Sequence, residues 1–138
     1  MNGAGGVGPF SRDQLVGTAY AMLRIVCGVL FAFHGLQKIF GVFMAAKDMP
    51  PAFSQLWIGG VIELVGGALI ALGLFTRYAA FVCSGQMAVA YIQFHWQLHF
   101  AGGAFLPAIN HGEDSVLYCF AFLFMAAFGD GPVSLGRK

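Results

Sequence analysis

Long uninterrupted apolar segments constrain this chain more than any other feature. Four are visible: about Val16 to Phe40, Pro51 to Phe75, Tyr78 to Phe100 and Asp114 to Phe128. About 20 helical residues cross a bilayer at 1.5 Å each, so the first three are long enough to span. The fourth reaches that length only if its capping residues sit at the membrane surface. Barrel strands are excluded, because the runs are continuous and do not alternate. Of the 138 residues, 59% are hydrophobic and only 9% charged. A soluble domain carries about a quarter charged residues, so this chain cannot cover itself with polar surface. The expected fold is an all-α membrane protein, a four-transmembrane-helix bundle in a lipid bilayer. A net charge of +1 points away from nucleic acid and from a polybasic lipid patch.

Residues 1–14 are Gly-rich, read as a flexible N-terminal arm and lack the features of a secretory signal. Residues 15–130 form the membrane domain and 131–138 a short tail. Pro50 and Pro51 are expected to open the second helix. Asn110 to Glu113 has the form of a capping box, with Asn110 as N-cap. Arg12, Arg77, Arg137 and Lys138 fall on one side of a four-span bundle, against Lys38 and Lys47 on the other. The positive-inside rule then places both termini in the cytoplasm, with the loops around 42–50 and 101–112 facing outward. Trp57 and Trp96 fit an aromatic belt at the outer side. Cys27, Cys83 and Cys119 lie in three different apolar segments without a C-x-x-C pair, and read as small hydrophobic side chains.

Two charges lie deep in these segments. Arg24 is below the middle of the first and Glu63 near the middle of the second. Intramembrane charges cost at least about 2.5 kcal/mol each and usually face a partner inside the bundle. Glu63 shares a helix face with Gly59, Gly60, Gly66 and Gly67, and such a stripe lets another helix approach closely. Arg24 shares a face with Phe31, Gly35 and Lys38. The simplest expectation is that the two faces meet and Arg24 pairs with Glu63. That pair either only holds the bundle together or gives Glu63 a proton-transfer or ligand-binding role.

His34, His95, His99 and His111 all fall toward the outer side. His95 and His99 are four apart and share a helical face with Tyr91, a spacing compatible with metal ligation and equally with a polar helix end. His34, Gln37 and Lys38 lie together where the first helix leaves the hydrocarbon. No H-E-x-x-H, C-x-x-C-H, G-x-S-x-G, Walker or dinucleotide motif is present, so no self-sufficient catalytic machinery is expected.

The stretches LRIVCGVLFAFHGLQKIFG (Leu23–Gly41), GGVIELVGGALIALGLFTR (Gly59–Arg77), MAVAYIQFH (Met87–His95) and FLPAINHGEDSVLYCFAFLFMAAFGDGPVSLG (Phe105–Gly136) together resemble the DoxX family of small bacterial membrane proteins. The resemblance covers nearly everything after about residue 19. It implies a four-helix protein of the bacterial inner membrane. Family names trace to subunits of an archaeal quinol oxidase and a thiosulfate:quinone oxidoreductase. Mycobacterial members are linked to an oxidative-stress complex, and most members have no assigned reaction. By position the family-like polar residues are Arg24, His34, Gly35, Lys38, Glu63, Arg77, His95, Asn110 and Glu113, whereas His99 departs from the pattern. The resemblance implies a subunit of a respiratory or oxidative-stress redox complex. Its expected cofactor is quinone, with His34, Gln37, Lys38, Tyr91 and His95 as candidate contacts and Glu63 exchanging protons. Its expected partners are other membrane subunits or a second copy. A noncatalytic assembly subunit and, further off, a small-solute transporter are the alternatives.

Overall fold

The computed structural model describes residues 10–136. The first helix, α1, runs Arg12–Phe40. Its start is a reciprocal capping box: Gln14 N–H donates to the Ser11 hydroxyl at 3.2 Å, and Ser11 N–H donates to Gln14 Oε1 at 2.9 Å. The arm expected over residues 1–14 thus ends in helix, and its first nine residues lie outside the described ones. Gly41 closes α1 in the left-handed conformation that glycine tolerates best.

The second helix, α2, is Gln55–Leu72. Pro50 and Pro51 do not open it. Ser54 does, because its hydroxyl accepts the Trp57 N–H, which a proline cannot do. After a short turn through Gly73 and Phe75, α3 runs Thr76–Ala90 and continues as a π-helical turn, Tyr91–Trp96. The third apolar segment was expected to stay helical to Phe100. It stops at Trp96, where Gln97 and Leu98 turn left-handed. A four-residue helix, α4 (Pro107–Asn110), precedes α5 (Glu113–Phe128). The capping box expected at Asn110 does not form. Asn110 ends α4, and its side chain takes the Gly112 N–H locally at 2.9 Å. Among the described residues every regular element is helical, and α1 and α2 are long and apolar enough to cross a membrane.

The helices alternate in direction. The start of α1 lies beside the ends of α2 and α5, and the end of α1 lies beside the start of α2. The α1–α2 contact runs backbone against backbone. A Cβ on Gly28 would lie 2.7 Å from the Gly67 carbonyl, and one on Gly35 would lie 2.5 Å from the Gly60 carbonyl. In lipid such close packing, rather than expulsion of water, drives helix association. The glycine stripe of α2 serves two neighbours, since Gly60 and Gly67 meet α1 while Gly59 and Gly66 meet Gln86 and Cys83 of α3. Phe31 joins α1 to α5 through Phe122, with ring centroids 4.7 Å apart. The outer faces carry exposed Val26, Leu30, Val65, Phe81, Val89, Phe120 and Phe124. That is far more apolar surface than a soluble monomer tolerates, and it suits a lipid surround.

The end of the bundle that holds the start of α1 is closed by cations and the C-terminal segment. Arg77 donates to the last carbonyls of α5, with 2.9 Å to Ala127 O. Residues 130–136 fold back onto α2, with Leu135 N–H on Leu72 O at 3.0 Å and Gly136 N–H on Gly73 O at 2.9 Å. The expected tail is therefore packed over most of its length, and Arg137 and Lys138 lie outside the described residues. Asp130 accepts the Thr76 N–H at 2.9 Å. Thr76, then the Arg24 and Arg77 guanidiniums, hold the Asp130 carboxyl below its ordinary range, against partial desolvation. A depressed carboxylate stabilises the fold above its unfolded pKa of about 4, and that contribution is lost as pH falls through the folded value. Thermal melts in detergent from about pH 6 down to pH 2 are expected to show a steeper acid loss for wild type than for Asp130→Asn. Identical acid limbs would remove Asp130 from this account.

Candidate functional site

Glu63 lies at the seam of α1, α2 and α3 and is only 2% exposed. Lys38 Nζ donates to its Oε1 at 2.6 Å. The Lys38 stem crosses Gly60, where a Cβ would meet the lysine's own Cβ at 2.8 Å. The glycine is thus the notch that lets the ammonium reach down to the carboxylate. Gln86 of α3 donates from Nε2 to the same Oε1 and to the Gly59 carbonyl, both at 3.1 Å. A carboxylate so placed leaves water but keeps a charged and a neutral donor, which is how a buried acid is made tolerable.

The expected Arg24–Glu63 pair is not formed. The glycine contacts set the register of α1 against α2, and they put Arg24 level with Ala71. Eight residues along α2 separate that level from Glu63, about 12 Å and beyond reach. Arg24 instead donates to the carbonyls of Ile70 at 2.6 Å, Ala71 at 2.9 Å and Val133 at 2.5 Å. It satisfies the free carbonyls at the end of α2 and stands at the negative end of that helix dipole.

A cavity of about 560 Å³ borders Glu63, within the range of small-molecule sites. Its walls come from the ends of α1 and α3 and the starts of α2 and α5. His34, Lys38, Glu63, Gln86 and His95 line it together with Gln55, Gln93, Asp114, Ser115 and Tyr118. The remaining lining, including Phe31, Ile62, Met87 and Phe94, is apolar. Three of the five expected ligand contacts, His34, Lys38 and His95, therefore share one cavity. Gln37 and Tyr91 do not line it. Tyr91 gives its hydroxyl hydrogen to the Phe105 carbonyl and accepts from Asn110 Nδ2 at 3.0 Å, so it ties the 97–112 segment to the end of α3.

The π turn matters for His95. Each π turn holds one residue more than an α turn and re-aims the side chains beyond it, a device frequent at functional sites. His95 Nδ1 lies 3.3 Å from the Asn110 carbonyl, and its ring stacks on Tyr91 at 6.3 Å. His99 lies past the end of the helix and is exposed, so the shared face expected for His95 and His99 does not exist. His111 is exposed beside the start of α5. Among the described residues no three His, Cys, Asp or Glu side chains are grouped to hold a metal ion. Gln86 was missed from the sequence. Its signal was a single amide in the middle of an apolar segment, which needs a partner as a charge does.

Residues 19–96 match the model of the DoxX family. The chain belongs to the DoxX family. The matched span holds Arg24, Lys38, Glu63, Gln86 and His95, while the α5 wall of the cavity lies beyond it. The DoxX chain is similar to an uncharacterized protein of Haemophilus influenzae, 40% identical over 120 residues that cover 86% of this chain and 88% of the relative. It is also similar to "Inner membrane protein YphA" of Escherichia coli, 30% identical over 122 residues, 83% of this chain and 86% of that one. A third relative, of Bacillus subtilis, is named "Putative oxidoreductase CatD" and is 30% identical over 88 residues, 60% of this chain and 64% of the relative. No solved structure matches the chain at a significant level.

Proposed function

We propose that this DoxX protein crosses the bacterial inner membrane four times, with both termini in the cytoplasm, and binds a quinone-like ring as a small subunit of a membrane redox assembly. The alternating helix directions and the apolar outer faces support four crossings, and Arg12 and Arg77 at the end holding the start of α1 and residue 136 support the orientation. The name YphA carries supports the inner membrane. The name CatD carries supports redox work.

One observation carries the ligand reading: a buried carboxylate, paired with an ammonium, stands at the wall of a cavity whose remaining lining is mostly apolar. A quinone head group needs such a site, apolar walls for the ring and a few polar groups for its oxygens. Lys38, His34 and His95 are the groups to hold those oxygens, and Glu63 is the group to take or give the proton. A quinone couple exchanges two electrons and two protons; the electrons pass to or from a partner subunit, because this sequence carries no redox-cofactor motif of its own.

Protein purified in mild detergent is expected to carry isoprenoid quinone in its lipid extract and to rebind quinone after stripping. Lys38→Met and His34→Ala are each expected to weaken that binding about tenfold, the scale of one good hydrogen bond. A quinone-free extract together with no rebinding by the stripped protein would sink the reading.

A further inference from the structure

Two amide bridges cross the seam between α2 and α3. Gln86 donates to the Gly59 carbonyl and to Glu63, and further along Gln55 donates to Gln93. The cavity beside Glu63 reaches this seam and continues through it, because Ile58, Val82, Gly85 and Val89 line the cavity and are also exposed on the outside of the bundle. A Cβ on Gly85 would meet nothing within 4 Å, so a groove runs open there, unlike the glycine contacts of α1 with α2. Gly85 stands nine residues past the start of α3. That is about 14 Å, near the middle of a hydrocarbon core about 30 Å thick. No Asp, Glu, Lys or Arg occurs between Arg77 and Glu113, so nothing charged on α3 interrupts the groove.

We propose that the cavity is entered sideways from the bilayer through this seam, and that the groove outside it seats one hydrocarbon chain of a membrane amphiphile whose polar end turns in between the two glutamine bridges. Such an entrance serves any polar end and so stands apart from the ring reading above. The groove is continuous with the lipid-facing sides of α2 and α3, and its walls are apolar. From Val82 to Gln93 it rises about 16 Å, against about 15 Å for one leaflet of the core, which is the length of one lipid chain. A helix of a second copy fits it poorly. A helix is about 10 Å wide and comes close only over small residues repeated at each turn. The neighbours of Gly85 one turn away are Phe81 and Val89, both large and exposed. The bridge that yields is Gln55–Gln93. Both residues are exposed, one hydrogen bond joins them, and Gln93 lies in the π turn, whereas Gln86 is held by two acceptors.

Thiol labelling of the whole chain in phosphatidylcholine nanodiscs tests this. Met87→Cys places a thiol on the cavity wall inside the seam, in a chain that also carries Cys27→Ala, Cys83→Ala and Cys119→Ala. The probes are N-dodecylmaleimide carried in the bilayer and a charged methanethiosulfonate in the water. Each rate is scaled to an unhindered thiol in the same medium, Val65→Cys for the bilayer and Ala46→Cys for the water, both positions being exposed. The scaled rate from the bilayer is expected to exceed that from water about tenfold or more. Gly85→Leu fills the groove and is expected to cut the bilayer rate about tenfold while leaving the water rate unchanged. Val89→Trp blocks the same groove one turn further on and serves even where Gly85→Leu does not fold. Gln93→Leu releases the yielding bridge and is expected to raise the bilayer rate several-fold. A higher scaled rate from water, no labelling of Met87→Cys by either probe, or a bilayer rate that neither blocking substitution lowers would overturn the side entrance.

Discussion

Arg24→Ala is expected to destabilise the protein by about 4 kcal/mol or more, enough to abolish a monodisperse species in detergent. Arg24 is fully buried and donates to three carbonyls on two separate stretches of chain, Ile70 and Ala71 at the end of α2 and Val133 in the returning segment. Bonds to a charged donor contribute about 1.5–3 kcal/mol each, and truncation leaves the carbonyls unsatisfied beside a void. Arg24→Lys keeps the charge but not the planar fork, so it is expected to recover only part of the loss. A double-mutant cycle decides the partner. Arg24 and Glu63 sit at levels about 12 Å apart on α2, so the effects of Arg24→Lys and Glu63→Gln are expected to add within about 0.5 kcal/mol. A coupling above about 1 kcal/mol, measured by thermal or SDS-induced unfolding, would restore the ion pair suggested by the sequence.

Gly67→Leu is expected to be equally damaging for a different reason. A Cβ there would lie 2.5 Å from the Ala32 nitrogen and 2.6 Å from the Gly28 carbonyl. These are backbone atoms of a neighbouring helix and cannot rotate aside, so α1 and α2 must separate along their length. Overpacking costs about 1–3 kcal/mol where side chains can yield, and more is expected here. The same shift would pull Lys38 away from Glu63, so the variant is expected to lose cavity ligands even where some fold survives. Gly85→Ala is the control, because a Cβ at Gly85 meets nothing within 4 Å. It is expected to melt within about 1 kcal/mol of wild type, on the stable side if helix propensity rules. Size-exclusion profiles and melts of the two variants side by side test this, and a well-behaved Gly67→Leu would mean that the close helix contact is absent.

The helical class was legible because apolar runs without alternation permit little else, and the glycines of α2 declared where another helix would come close. What the glycines did not declare was register. Segment midpoints alone put Arg24 about 7 Å from the level of Glu63 at 1.5 Å per residue; the actual offset is set by which glycine meets which, Gly28 on Gly67 and Gly35 on Gly60. That one slip exchanged the partners, giving the carboxylate to Lys38 and Arg24 to bare carbonyls. His34, Lys38 and His95 were legible as polar residues at helix ends with an apolar surround. The π turn was not, because an extra residue in a turn leaves no mark in composition, yet it re-aims the side chains of Tyr91–Trp96, and the left-handed Gln97 and Leu98 then take His99 off the helix. Gln86 was not legible because a lone neutral amide stands out less than a charge in an apolar segment. In a dry interior an amide needs partners as surely as a charge does.

The embrace of Arg24 by Val133 has a further consequence for how the molecule is made. Synthesis delivers the N-terminal helix first, and folding follows that order. The guanidinium can settle against α2 early, but its second arm stays bare until Val133, 109 residues further along, has been made. The first helix is thus finished only once the segment after α5 has been made, and that segment seals this end of the bundle.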